Sequence, residues 1–242
     1  MASLDSLQVR QLMAKGVVVQ KASDTSVALR LRYVGTGTVT SVTTVTATSV
    51  VTISTAGTGY ATEGTKTYLF SAYATMGELA DAINADGIFE CKVLDVLRSD
   101  ASDNNLLASA LTDTNAIDEM GNATWDIFTD TSAFFQLGVC LSAHRGFDAP
   151  KNRRVHLQEI AYVADVGTAA YDNLQIWRRK GSTEIQIWSG LNVDHASTLN
   201  TINFASGLGK ITSGEDEELI VLVKDAGSLA DTAYMRLTGI IE

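Results

Sequence analysis

TKTYLFSAYATMGELADAINADGIFECKVLD, residues 65–95, is the stretch whose reading decides the fold. It is a β-type run, then a capped helix, then a second β-type run. Thr75 stands where a helix N-cap belongs and Glu78 falls three places on, so hydroxyl and carboxylate each satisfy a backbone donor left free at the helix start. Leu79, Ala82 and Ile83 follow at i, i+3 and i+4 and make one apolar stripe, while Glu78, Asp81 and Asn84 fall elsewhere. Gly87 permits the left-handed backbone that closes the element, which is predicted over residues 76–86. A three-turn helix with so narrow a stripe does not hold in water alone. It must lie on a sheet, and the flanking β runs supply one.

Working back from this unit, residues 35–60 read GTGTVTSVTTVTATSVVTISTAGTGY and carry no acidic or basic side chain. β-Branched residues are stiff at χ1 and suit a pleated sheet, so a pair of strands is expected. An uncharged tract of this kind is either an ordinary internal pair or an edge that meets another chain. Val27–Val34 reads as a half-buried strand, with Val27, Leu29, Leu31 and Tyr33 alternating against Ala28, Arg30 and Arg32. Val17–Gln20 is a further strand. Ser3–Lys15 reads as a short helix or a docking arm, with Leu4, Leu7 and Leu12 partly in phase and Gly16 as its stop. Leu4, Leu7, Leu12, Val42, Val45 and Val51 are the candidate assembly contacts.

Working forward, residues 98–105 form a polar loop. Its Asp100, Asp103, Asn104 and Asn105 lack the alternating spacing and distal glutamate of a calcium loop. Residues 106–122 have room for one short helix, and β pattern resumes at Ala123. HRGFDAPKNR, residues 144–153, has the composition of a linker and holds the chain's one proline, Pro150. Beyond it Val155–Val163 alternates, Leu219–Val223 is continuously apolar as in a central strand covered on both faces or one seated in a sandwich core, and Tyr234–Ile241 is a last strand. The fold class expected is mainly β: an N-terminal α+β module with one capped helix, then a C-terminal antiparallel β-sandwich of jelly-roll type. The divisions expected are residues 1–34, 35–120 and 121–242.

One hairpin can be registered. In NLQIWRRKGSTEIQIWSG, residues 173–190, a two-residue turn at Lys180-Gly181 pairs Ile176 with Ile185 and Leu174 with Ile187, on a core face. Trp177 then points outward with Gln175, Arg179, Glu184 and Gln186, and Trp188 joins them. Tryptophans on a polar face usually meet another surface. Three such surfaces are open: a second layer of this chain, a subunit contact, or a sugar that stacks on the rings.

The formal net charge of −10 leaves no broad positive field, so nucleic acid is not an expected partner. Arg178-Arg179-Lys180 reads as a solvated hairpin tip. Cys91 and Cys140 fall in separate β runs and are expected as free, buried thiols. The N-terminal residues lack the pattern of a secretory signal, and no apolar run is long enough to span a bilayer, so a cytoplasmic origin is expected and Asn122 has no role as a glycan acceptor.

No catalytic or metal-ligating residue is expected. His144, His156 and His195 are scattered, with no partner at ligand spacing. SGLGKITSG, residues 206–214, departs from a phosphate loop because Phe204 stands where its first glycine belongs and Ile211 separates Lys210 from Thr212. Glu215, Asp216, Glu217 and Glu218 read as a solvated turn. Binding, without a cofactor and without catalysis, is the expected mode of action.

The central unit resembles the small modules with a "tladlaaaIN" signature found in flagellin, hook-associated proteins and tailed-phage virion proteins, Leu79, Ala82, Ile83 and Asn84 carrying the match. The long helical termini that build flagellar filaments are missing. With its acidic Thr/Val-rich composition and its ending AYMRLTGIIE, residues 233–242, the chain looks like an accessory structural protein of tailed phages. That resemblance implies location in a virion, as a capsid decoration or cement protein, a head fibre or a tail component. It implies self-association, with a trimer expected, contact with a major capsid protein or other virion subunits, and no membrane. A tail or fibre module binding a host-surface glycan through Trp177 and Trp188 is the alternative.

Overall fold

The computed structural model of the chain describes residues 15–22, 26–34, 41–46, 50–55, 64–103, 105–111, 116–117, 123–130, 136–141, 154–164, 171–194, 200–204, 211–213, 217–225 and 233–241. The helix or arm expected at Ser3–Lys15 with Leu4, Leu7 and Leu12, the linker expected at 144–153 and all but residues 211–213 of the stretch 206–214 lie outside these residues, save that Lys15 opens the first strand and Arg153 is followed by the described Arg154. Among the described residues the protein is mainly β, with antiparallel sheets and one helix.

The strands outside the central region are β1 (Lys15–Ala22), β10 (Gln136–Leu141), β11 (Val155–Ala164), β12 (Tyr171–Lys180), β13 (Thr183–Asp194), β14 (Asn200–Asn203), β15 (Ile211–Thr212), β16 (Glu218–Asp225) and β17 (Ala233–Ile241). Their pairing is nested. The hairpin β12–β13 is innermost, β11 pairs with β14 around it, β10 pairs with β16, and β1 pairs with β17. One sheet has the order β1-β17-β11-β14 with β15 beside β11, and the other has β10-β16-β12-β13. Val139, Val155, Leu157, Leu174, Ile176, Leu219, Val221, Met235 and Leu237, drawn from both sheets, form a single core. Burial of these side chains is the main force holding the two sheets face to face.

Residues 23–135 build different sheets. β2 (Val27–Tyr33), β6 (Phe89–Val93), β8 (Ala116–Ile117) and β9 (Ala123–Phe128) assemble in the order β6-β2-β9-β8. β3 (Ser41–Thr46), β4 (Val50–Thr55), β5 (Gly64–Leu69) and β7 (Ser109–Leu111) assemble as β5-β4-β3-β7. Helix α1 (Met76–Ala85) buries Met76, Leu79, Ala80 and Ile83 in a core shared with Leu29, Leu31, Phe70, Phe89 and Trp125. The capping box is present in both directions: Glu78 N donates to Thr75 Oγ1 (3.2 Å) and Thr75 N donates to Glu78 Oε2 (3.1 Å). Gly87, at φ +70°, turns the chain after the helix.

Several expectations change. The sheets do not divide the chain at residues 34 and 120: β1 belongs with β17, whereas β2 and β9 pair with each other inside the 23–135 unit. Residues 109–111 and 116–117 are short strands, not a helix, because β3 and β9 each offer an edge with which they pair. The uncharged tract does form the antiparallel pair β3–β4, with Val45 opposite Val51 and Val42 opposite Ser54. Val45 is buried in the unit's own core, which removes it as an assembly contact.

The continuously apolar run is explained by its position. Leu219, Val221 and Val223 point into the core shared by the two sheets, while Ile220 and Leu222 on the opposite face meet Leu97 of the 23–135 unit, together with Cys140 and Trp177. The inserted unit therefore packs on the outer face of the β10-β16-β12-β13 sheet.

Candidate functional site

The hairpin that carries the candidate residues is shifted from its expected register. The turn lies at Gly181-Ser182, so Lys180 pairs with Thr183, Arg179 with Glu184 and Arg178 with Ile185. Gly181 takes φ +58°, which glycine adopts without strain. Ile185 consequently faces Arg178 beyond the end of the core and is 59% exposed, whereas Leu174 and Ile176 are fully buried. Farther along, Trp177 pairs with Gln186 but Ile176 pairs with Trp188, so Ile187 is an extra residue in β13. A bulge of this kind reverses which face each later side chain occupies.

That bulge separates the two tryptophans. Trp188 turns onto the core shared by the two sheets, where its ring meets Phe204 edge-on at 5.6 Å and overlies Gly190, at which any Cβ would collide with the indole. Trp177 stays on the opposite face, packs against Leu97, Cys140, Ile220 and Leu222, and donates its indole N–H to Gln175 Oε1 (2.8 Å). Trp177 and Trp188 therefore do not share the one face on which the sequence-based register placed them. Gln186 is exposed, and Gln175 is half-buried.

Arg179 and Glu184, expected outward on the same face, are the centre of a buried polar seam. Arg179 is 4% exposed and donates to Glu184 Oε1 (2.7 Å), to Glu218 Oε2 (3.2 Å), and to the main-chain oxygens of Val93 (2.7 Å), Leu94 (3.4 Å) and Val96. Burial opposes the charge, but the carboxylates of Glu218 and Glu184 outweigh it and hold the guanidinium pKa above its ordinary value. The reading of Arg178-Arg179-Lys180 as a solvated tip therefore fails at its middle residue. Alternation along β12 aims Arg179 at the inserted unit, whose carbonyls after β6 need a donor.

The seam continues through Asp95 and Ser26, both fully buried. The two carboxylate oxygens of Asp95 accept from Val27 N (3.0 Å) and Cys140 N (2.8 Å), joining β2 to β10. Ser26 Oγ donates to Gly138 O (3.3 Å) and accepts from Gly138 N (3.2 Å).

Where the seam reaches the surface it opens into a groove of about 400 Å³, lined by the start of α1, by Arg98 and Ser99, and by Trp177, Ser182 and Glu184 of the hairpin. The helix start is already satisfied: Met76 N donates to Asp100 O (2.9 Å) and Gly77 N to Arg98 O (2.8 Å). Gly77 eases this approach, since a Cβ there would sit 3.0 Å from Arg98 O, tighter than an ordinary contact. Arg98 N donates to both oxygens of Glu184 (3.0 Å each), and Arg98 Nη2 donates to Asp81 Oδ2 (2.7 Å) and Gly77 O (3.3 Å).

Of the residues singled out from the sequence, the structure brings Trp177 and Glu184 to this groove. Arg98, Asp81, Glu78 and Ser182 were missed as site residues. The helix cap was visible locally, but nothing in the sequence links Arg98 to Glu184 across 86 positions. Among the described residues no cluster of His, Cys, Asp and Glu has metal-holding geometry, and no helix is long and apolar enough to cross a membrane.

No protein-family model matches the chain, and no curated protein sequence matches it significantly.

Proposed function

We propose that the chain is an accessory structural protein of a phage virion, a decoration or cement protein that acts on a capsid by protein–protein contact and not by catalysis. The observation that carries this reading is the nested strand pairing, with sheet orders β1-β17-β11-β14 and β10-β16-β12-β13. Setting aside the short β15 beside β11, two four-stranded orders wound from one folded-back ribbon are the jelly-roll pattern, an architecture used widely in capsid and lectin domains. In this reading the sandwich is a jelly roll, and residues 23–135 are an insertion between its first and second strands. The support is an analogy of architecture, joined to the uncharged Thr/Val strands β3 and β4.

The contacts would be made by the arm that precedes β1, with Leu4, Leu7 and Leu12, and by the Thr/Val sheet with Val42 and Val51. A closed homo-oligomer, a trimer first, then sits on major capsid protein. Light scattering on the purified chain, followed by co-sedimentation with purified capsids, tests this. A closed oligomer that sediments with capsids is the expected result. A strict monomer that stays in the supernatant overturns the reading.

A further inference from the structure

The groove between the start of α1 and the β12–β13 hairpin has a lining that selects one ligand chemistry. We propose that it binds a neutral saccharide, with the Trp177 ring against the C–H face of a pyranose and Asp81, Arg98 and Ser182 hydrogen-bonding its hydroxyls. This inference stands apart from the virion reading, because it rests only on the groove.

Size comes first. Its volume of about 400 Å³ falls in the range of roughly 300–1,000 Å³ usual for small-ligand sites. Charge comes second. An anion would face Glu78, Asp81 and Glu184, and would find the helix start already spent, since the N–H groups of Met76, Gly77 and Glu78 are bonded to Asp100 O, Arg98 O and Thr75 Oγ1. A cation would meet Arg98, while Asp81 and Glu184 are each held by a guanidinium already. An uncharged ligand disturbs neither pairing.

Hydrogen-bonding character comes third. Asp81 and Glu78 accept only, Arg98 donates only and the Ser182 hydroxyl does both, so a ligand that is donor and acceptor at every position suits them, which is the property of a polyol. The one large apolar wall is an indole, whose rigid face suits the C–H face of a sugar ring. These groups are held before any ligand arrives. Arg98 is fixed through its main chain by Glu184 and through its side chain by Gly77 O and Asp81, which lowers the ordering cost of binding.

The test is saturation-transfer NMR of the whole chain with neutral gluco-, galacto-, manno- and N-acetylglucosamine oligosaccharides, with sialylated and free-amine sugars as charged comparators. At least one neutral oligosaccharide is expected to bind more tightly than every charged comparator. Asp81→Ala, at a side chain 66% exposed, is expected to weaken that binding about tenfold while leaving the melting temperature nearly unchanged. Ser182→Trp, which fills the groove from the exposed hairpin tip, is expected to abolish it. Trp177→Phe keeps an aromatic packed on Leu97 and Ile220 and reports the stacking component. Absence of binding by every neutral sugar, preference for a charged comparator, or unchanged binding by Ser182→Trp overturns the proposal.

Discussion

The place that a Cβ of Gly138 would occupy is already filled by the main-chain oxygen of Asp95. This contact joins β10 of the sandwich to the segment that follows β6 in the inserted unit. Backbone meets backbone there, so no flexible side chain can give way.

Gly138→Ala is therefore expected to destabilise the chain by about 3 kcal/mol or more, since the sheet or the segment at Asp95 must shift bodily. Urea denaturation measures it. Gly181→Asn is the control: Gly181 has positive φ but open space around it, and Asn tolerates that conformation, so little loss is expected. Equal stability of Gly138→Ala and the native chain would contradict the close packing of the two units.

Removing Arg179 takes its donors from Glu218 and from the carbonyls of Val93 and Val96, and leaves Glu184 with the main-chain N–H of Arg98 in place of a guanidinium. Arg179→Met is expected to cost about 3–5 kcal/mol, the range for breaking one side of a buried ion pair. Arg179→Lys should recover little of this, because an ammonium cannot serve carboxylates and carbonyls in the fixed fork of a guanidinium. Calorimetry should show the single transition separating into two as the inserted unit and the sandwich uncouple. Full rescue by lysine would show that charge alone matters.

The hairpin register makes opposite demands on two isoleucines that the sequence-based register places side by side. Ile185→Thr, at a residue 59% exposed, should change stability by less than about 0.5 kcal/mol. Ile176→Ala, at a residue fully buried in the sandwich core, should cost about 2–5 kcal/mol. Comparable losses at both positions would restore the turn at Lys180-Gly181.

Alkaline pH has a definite sign. Burial, followed by the hydrogen bond to Asp86 (2.6 Å), pushes the Tyr68 phenol above its ordinary value of 10.0. Burial likewise pushes the Cys91 thiol above 9.0. In both cases the unfolded chain loses its proton first, so the stability these groups contribute is complete below their ordinary values and is lost as pH rises beyond them. Unfolding free energy should fall from pH 9 upward, by at most about 1.4 kcal/mol per pH unit for each group. Tyr68→Phe and Cys91→Ala should each flatten that decline. An unchanged slope in both variants would remove these groups as its cause.

What could be read from the sequence was local. The helix was legible because Thr75, Glu78 and Gly87 act within a few residues of one another, and β16 was legible as a buried strand because five consecutive apolar residues need cover, though the layer over its second face was not. The pairing of β1 with β17 was not, since register across more than 200 residues leaves no mark in either segment. Arg179 was misread because a run of three basic residues looks like a solvated turn until the carbonyls it must reach are known. The shared face of the two tryptophans was lost to a single extra residue, Ile187, which alternation cannot reveal. The groove went unseen for the same reason as the seam beneath it: its walls come from segments far apart in the chain.

The nested pairing also sets an order of events during synthesis. Strands β12 and β13 are joined by a two-residue turn and have the shortest loop to close, β11–β14 and β10–β16 close progressively longer ones, and β1 must wait for β17. Residues 23–135 leave the ribosome before any of their sandwich partners from β10 onward, so the unit is expected to be structured while β1 is still unpaired. Pulse-labelled hydrogen exchange during refolding should find β1 protected last. A strand that docks last on its own chain is also the one most readily exchanged with that of a second copy.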